Sequence, residues 1–256
     1  MTVFKVLSIA TLSSLSLSAF AADFSFDRPG AGMGTGITPV GRLAWEQSLP
    51  AASYSESRDD NGEKVKNTTL NADMLFRTGL AKDLELQLGW QGPAWSKTKV
   101  AGRSVEEDGL GDVSIGLKKA IDLNDEKLSM AILAEAIIAT GNEGFSAEDD
   151  IYSLTSAVAY DYSDTIGTSM TMRYEVQDGD WAVSAIPGLE YHIAGNLSGF
   201  SELVYRKAES TDQEVSLASG LTYAVSDRMQ LDASVGLELT GGHKNYQSGL
   251  GVSYLF

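Results

Sequence analysis

The residues of this chain best placed to do chemistry are charged and polar side chains set two apart. In LELQLGW, Glu85 and Gln87 alternate with Leu84, Leu86 and Leu88. In TIGTSMTMRYE, Arg173 and Glu175 oppose Met172 and Tyr174, and in MQLDASVGLEL, Asp232 and Glu238 share the polar side. LNADMLFRTGL repeats the pattern with Asn71, Asp73 and Arg77. A period of two puts one set on each face of a β-strand. Over the whole chain these polar faces carry Glu46, Asp73, Glu85, Asp112, Glu135, Glu175, Glu190, Glu202, Glu214, Asp232 and Glu238. Their basic members are Arg42, Arg77, Lys118, Arg173 and Arg206. Turned toward one enclosed space, such groups line a narrow, net-acidic pore that prefers cations or polar solutes to anions. Alternatively they pair with one another and fill the interior. Pore width is not a property of sequence, so both readings stand.

Other chemistries find less support. GAGMGTG, Gly30 to Gly36, invites a phosphate-loop reading, but that fingerprint needs a strand before it and a helix after it. Here an export signal precedes and a strand follows. The segment reads instead as a periplasmic lead-in or a plug, with Asp27 and Arg28 as candidate anchors inside a barrel mouth. A nucleophile–histidine pair would mark a barrel hydrolase. The two histidines are His192 and His243, and Ser248 lies five residues beyond the latter, on the opposite face of a strand. No third orienting group accompanies either histidine, so no enzyme is expected. The absence of cysteine and the scarcity of histidine argue against a thiolate or multi-histidine metal centre, and no cofactor is implied. The acidic runs Glu106-Glu107-Asp108 and Glu148-Asp149-Asp150 read as solvated loops, with cation bridging to lipopolysaccharide as the functional alternative. A formal charge of −16 argues against a nucleic-acid partner.

The elements that must position these side chains follow from the compartment. MTVFKVLSIATLSSLSLSAFA, residues 1–21, has one lysine, a stretch of apolar and small residues and an A-x-A ending, which is a secretory signal peptide. Its removal takes Lys5 away and leaves 18 basic against 35 acidic residues, a net −17. No later stretch reaches the roughly 18 apolar residues of a membrane helix; LSMAILAEAIIA is the nearest and contains Glu135. What remains is a periplasmic β-sandwich or a membrane-spanning barrel. Alternation recurs in about twelve segments of close to the ~10 residues that a tilted outer-membrane strand needs. They cover 37–48, 68–80, 83–91, 110–121, 127–139, 151–162, 165–176, 180–192, 195–207, 213–225, 228–239 and 246–256. Tight turns at 81–83, 163–164, 194–196 and 226–228 contrast with longer polar segments at 53–66, 92–108 and 141–150. Short turns at one end and long loops at the other are the plan of an outer-membrane barrel, whose even strand count puts both chain ends in the periplasm.

Because lipid cannot pair a backbone, the last strand must close on the first. That accounts for an ending in GLGVSYLF with no polar tail, and places Phe256 in an interfacial aromatic girdle. Two positions strain the scheme. Pro187 falls inside a strand, where a missing donor predicts a bulge or break. Phe200, Glu202 and Val204 share a face; Glu202 inward makes Phe200 an interior aromatic.

In order along the chain, Asp27-Arg28-Pro29, LFRTGLAKDLELQLGW (75–90), GLGDVSIGLKKAI (109–121), Ala139-Thr140-Gly141, LDASVGLEL and GLGVSYLF resemble landmarks of the outer-membrane barrel family named for a meta-pathway of phenol degradation. Ala139 stands where that family usually has proline. The resemblance implies a transporter-like barrel passing small, hydrophobic or aromatic molecules, and supplies no catalytic residues. It also implies that Tyr254 and Phe256 belong to a C-terminal signal read by the barrel-assembly machinery. The expectation is therefore an all-β, antiparallel up-and-down transmembrane barrel. Residues 1–21 are its signal peptide, 22–36 its periplasmic lead-in and 37–256 its wall. Its setting is the Gram-negative outer membrane, among lipid and lipopolysaccharide. Its function is passive passage of a small-molecule solute; the alternative is a non-conducting barrel displaying its outer loops.

Overall fold

A computed structural model of the chain describes residues 24–59, 61–209, 211–240 and 244–256. The signal segment over 1–21 and His243 lie outside the described residues. The strands in chain order are β1 Leu43–Arg58, β2 Lys64–Asn71, β3 Met74–Ala81, β4 Leu84–Trp90, β5 Pro93–Val100, β6 Arg103–Leu110, β7 Val113–Ile121 and β8 Leu128–Ile138. They continue with β9 Ile151–Ser163, β10 Ile166–Gln177, β11 Asp180–Ala194, β12 Leu197–Ala208, β13 Glu214–Ser226, β14 Met229–Glu238 and β15 Lys244–Leu255. Three pairs, β2/β3, β4/β5 and β6/β7, are halves of longer strands interrupted by two residues each. Counted as single staves they make a twelve-stranded antiparallel barrel, closed by β1 against β15 from Ala44↔Leu255 to Glu56↔Lys244. Closure leaves no sheet edge within the wall, as hydrocarbon requires.

Alternation sorts the side chains. Leu88, Ile115, Leu117, Met172, Tyr174 and Leu231 are exposed on the outer surface, while their neighbours Glu85, Lys118, Thr171 and Asp232 are buried inside. Phe256 donates its backbone N–H to Leu43 at 2.9 Å, so the terminal residue completes the seam. Its ring meets Tyr254 edge-on at 4.8 Å on the outer face. One rim, here the near rim, holds Phe256, four two-residue turns and the six-residue connection 122–127; the opposite, far rim holds the connections at 59–63, 139–150, 209–213 and 239–243 together with two tight turns, 101–102 and 178–179. At the near-rim turn between β3 and β4, Lys119 donates to Asp83 at 2.6 Å and holds that carboxyl below its ordinary value.

Several expected boundaries shift. The wall begins at Leu43, not at residue 37, and β1 runs on to Arg58. Segments 53–66 and 92–108 are not loops: they are hairpins, β1–β2 and β5–β6, extending the staves beyond the far rim. Only 139–150 remains a long connection of the three. The staves crease where they leave the barrel. β1 shifts register between Ser48 and Ala51, and neighbouring breaks at 72–73, 91–92 and 111–112 are stitched by Ala72 N to Pro93 O and Gly111 N to Gly92 O. Beyond the crease, the outer half of β1 with β2, β5 and β6 forms a projecting flap, in which β6 pairs only with β5 among the described residues. Pro187 produces no bulge. It stays paired with Met170 on β10, while the ladder to β12 skips residues 186–187 and resumes at Gly188↔Glu202 in unchanged register. The side without a donor therefore faces β12.

Candidate functional site: a stoppered lumen

A barrel of twelve staves encloses space that its own inward side chains do not fill. Residues 24–38 occupy it, and the exposed residues 39–42 join them to β1 at the near rim. The segment enters at the near rim and forms one isolated backbone bridge to the wall, Val40↔Gly79. Its remaining hold is made by wall side chains, which meet its backbone amides as a strand partner would.

The glycine run is explained by this approach. Ala31 N and Gly32 N donate to the Glu202 carboxylate at 2.7 and 3.1 Å. A Cβ on Gly30 or Gly32 would stand 2.6 or 2.9 Å from Glu202 Oε1, so a side chain at either position would push that carboxylate away from the amides it accepts from. Met33 N donates to Thr171 Oγ1 at 3.0 Å, and the Met33 side chain packs on Ala131, Leu133 and Ala157, an apolar seat on β8 and β9. Thr38 N donates to Glu85 Oε2 at 2.5 Å.

Two charged residues of the segment organise the wall around them. Asp27 accepts from Lys118 Nζ at 3.2 Å and from Gly34 N at 3.1 Å, and lies 3.5 Å from Arg77 Nη1. Arg28 spreads its guanidinium between Asp73 at 3.1 Å and Asp232 at 3.3 Å, while its backbone N–H donates to Glu46 at 2.8 Å. Beneath them Arg77, wholly buried, donates to Glu46 and Glu85 at 2.9 Å each and to the carbonyls of Ser25 and Gly36. The Phe24 ring covers that guanidinium at 5.3 Å. A buried cation is tolerable only with such complete pairing.

The expected lumen-lining residues thus fall into groups. Glu46, Asp73, Arg77, Glu85, Lys118, Glu202 and Asp232 converge on the segment. Glu190 lies inward toward the near rim, paired with Phe200, which is buried inside beside Glu202. Farther out, Arg173, Glu175, Arg206 and Glu214 form a loose ladder with contacts of 3.8–3.9 Å. Glu238 shares this outer level through its pairing with Ser216. Glu135 lines a chamber of about 190 Å³ with Asp73, Gln91 and Asp112. Asp112 also caps the chamber, its carboxylate accepting from Thr140 N, Gly141 N, Ser146 Oγ and Ala147 N at 2.6–2.9 Å. This pulls the 139–150 connection inward. Arg42 does not line the lumen: the wall starts one residue later, and its exposed guanidinium bonds the Phe256 carbonyl at 3.2 Å on the near rim.

Charge alone does not find the whole site. Gln87, Thr171 and Gln230 also hold the segment, through Asp27, Met33 N and the Arg28 carbonyl. Each shares the strand parity of a charged neighbour, Glu85, Arg173 or Asp232, and that parity was the available signal. His192 lies on β11 near the near-rim turn, and Ser248 on the outer face of β15, opposite Val235.

The sequence profile of the family described as "Putative MetA-pathway of phenol degradation" matches residues 26–256. The chain belongs to that family. The match begins within the luminal segment, so stopper and wall fall inside one family unit. Searched by sequence, the chain matches none of the curated proteins. By structure it is similar to the COG4313 outer membrane channel from Pseudomonas putida F1, with a TM-score of 0.67 at 13% identity over 89% of this chain and 99% of that one. It is also similar to the KdgM porin, with a TM-score of 0.51 at 12% identity over 80% and 98%. A third is the TodX deltaS2S3 mutant monoaromatic hydrocarbon channel, with a TM-score of 0.50 at 10% identity over 85% and 91%. These likenesses identify the fold as that of outer-membrane β-barrels.

Proposed function

We propose that this family member is an outer-membrane channel for passive passage of small molecules, without enzymatic activity, in which residues 24–38 limit the flow. The observation that carries the reading is the way the lumen is filled. The occupying segment is held by side chains and one isolated bridge, not by a ladder of backbone bonds. It is therefore displaceable while the wall stays closed. A barrel built only as a scaffold has no need of a removable filling. The near rim, with mostly short turns and with Phe256, is read as the periplasmic side, as in other outer-membrane barrels. The lining is rich in carboxylates, which favours cations and polar solutes. The family description and the hydrocarbon channel among the structural relatives lend support to aromatic solutes as a further class.

The test is single-channel recording of the refolded protein in a planar bilayer under a salt gradient. The expected result is a small, cation-preferring conductance that grows several-fold when residues 24–36 are deleted. A barrel that folds in both forms and conducts in neither would overturn the reading in favour of a structural or loop-displaying role.

A further inference from the structure

The projecting flap sorts its charges by face. Lysines alternate strictly in β2, as Lys64 and Lys66, and in β5, as Lys97 and Lys99. Register sets Lys244, Glu56, Lys66 and Lys99 in one transverse row. The row beneath is Tyr246, Tyr54, Thr68, Lys97 and Glu106. Tyr246 and Leu250 share this face of β15, and their exposure identifies it as the outer surface. The lysines therefore point away from the lumen. The residues between them on the inward face, Ser55, Asn67 and Thr98, are neutral.

Height is set by the aromatic residues. Tyr54 and Tyr246 stack with centroids 6.3 Å apart, and Trp95 follows one outward row below. Such rings sit at the boundary between hydrocarbon and headgroups. The Lys66–Lys99 row stands two residues higher, about 7 Å at the rise of a strand. It is at headgroup level on the far rim, the cell-surface side of the outer membrane.

Pairing within the patch is incomplete. Glu56 takes Lys64 at 2.8 Å and Lys66 at 3.8 Å, and Lys97 pairs with Glu106. Among the described residues, no carboxylate lies within ion-pair distance of Lys99 or Lys244. Lys66 and Lys99 are direct cross-strand partners, an arrangement of like charges that destabilises a sheet unless an anion sits over it. With Arg58 beside Lys64, the surface gathers six cations around three carboxylates, Glu56, Glu106 and, one row below, Asp108 opposite Trp95, on a chain whose formal charge is −16.

We propose that this outward face of the flap binds the phosphates of lipopolysaccharide, the phosphorylated glycolipid of the outer leaflet. The phosphates settle between Lys66, Lys99 and Lys244, and the acyl chains lie against Leu70, Trp95 and Tyr246. Basic clusters beside a membrane surface recognise anionic headgroups in this way. The site is separate from the lumen and does not depend on whether the barrel conducts.

The test is native mass spectrometry of the refolded chain in detergent, titrated with bisphosphorylated lipid A. The combined variant Lys66→Ser, Lys99→Ser and Lys244→Ser is expected to bind about tenfold or more weakly. Its conductance should match that of the unaltered chain, since all three side chains face outward. The single Lys99→Ser exchange, at an exposed position with no ion pair, gives an independent reading with a smaller loss. Unchanged binding in either variant overturns the proposal. Equal binding of dephosphorylated lipid A overturns the phosphate contact, and equal binding of phosphatidylglycerol overturns the choice of glycolipid.

Discussion

Arg28 Nη2 stands 3.3 Å from Asp232 Oδ1, joining the luminal segment to β14 across the barrel interior. The same guanidinium reaches Asp73 at 3.1 Å, so one cation spans two sectors of the wall. Arg28→Ala removes that tie and leaves both carboxylates facing the lumen. The expected outcome is a barrel that still folds and resists heat, with more frequent and larger openings in single-channel records. The wall ladder is untouched by the exchange, which is why folding should survive it.

Arg77 carries a different burden. It neutralises Glu46 and Glu85, and all three side chains are wholly buried. Arg77→Met strands two carboxylates in the interior. Removing one partner of such a group costs about 3–5 kcal/mol. Urea unfolding in lipid vesicles, followed by tryptophan fluorescence, should show that loss. Adding Glu85→Gln to the same chain should recover part of it, since one stranded charge is then gone.

Asp112 acts on the far rim. Its carboxylate gathers four donors from the 139–150 connection and holds it over the chamber below. Asp112→Ala should release that connection without unfolding the barrel. The check is limited proteolysis: cleavage confined to 139–150 should speed up markedly. Conductance noise should rise as the freed residues move across the opening.

The barrel itself was legible because lipid enforces a rule on every spanning residue. MQLDASVGLEL alternates without a fault and becomes β14 with its apolar side outward. The far-rim hairpins were not legible for the complementary reason. The outer parts of β2 and β6, residues 64–66 and 103–108, carry no apolar alternation, and they read as solvated loops. In sequence the luminal segment stays open between a periplasmic lead-in and a plug, for another reason. GAGMGTG has no period of its own, because its partners are Glu202 and Thr171 on distant strands. Asp27 and Arg28 stood out as anchors by charge, whereas Gln87, legible only as a polar-face residue beside Glu85, and Gln230 carried no sign of that role.

The contacts of residues 24–38 also carry an order in time. Its holdfasts are Glu46 on β1, Thr171 on β10, Glu202 on β12 and Asp232 on β14, the last 204 positions from Arg28. No early subset of staves presents a complete seat, and contacts so distant in sequence form late. The part of the chain that is synthesised first is therefore seated last. Its complete seat exists only once β14 has joined the wall, so full seating of the segment requires a barrel that is all but closed.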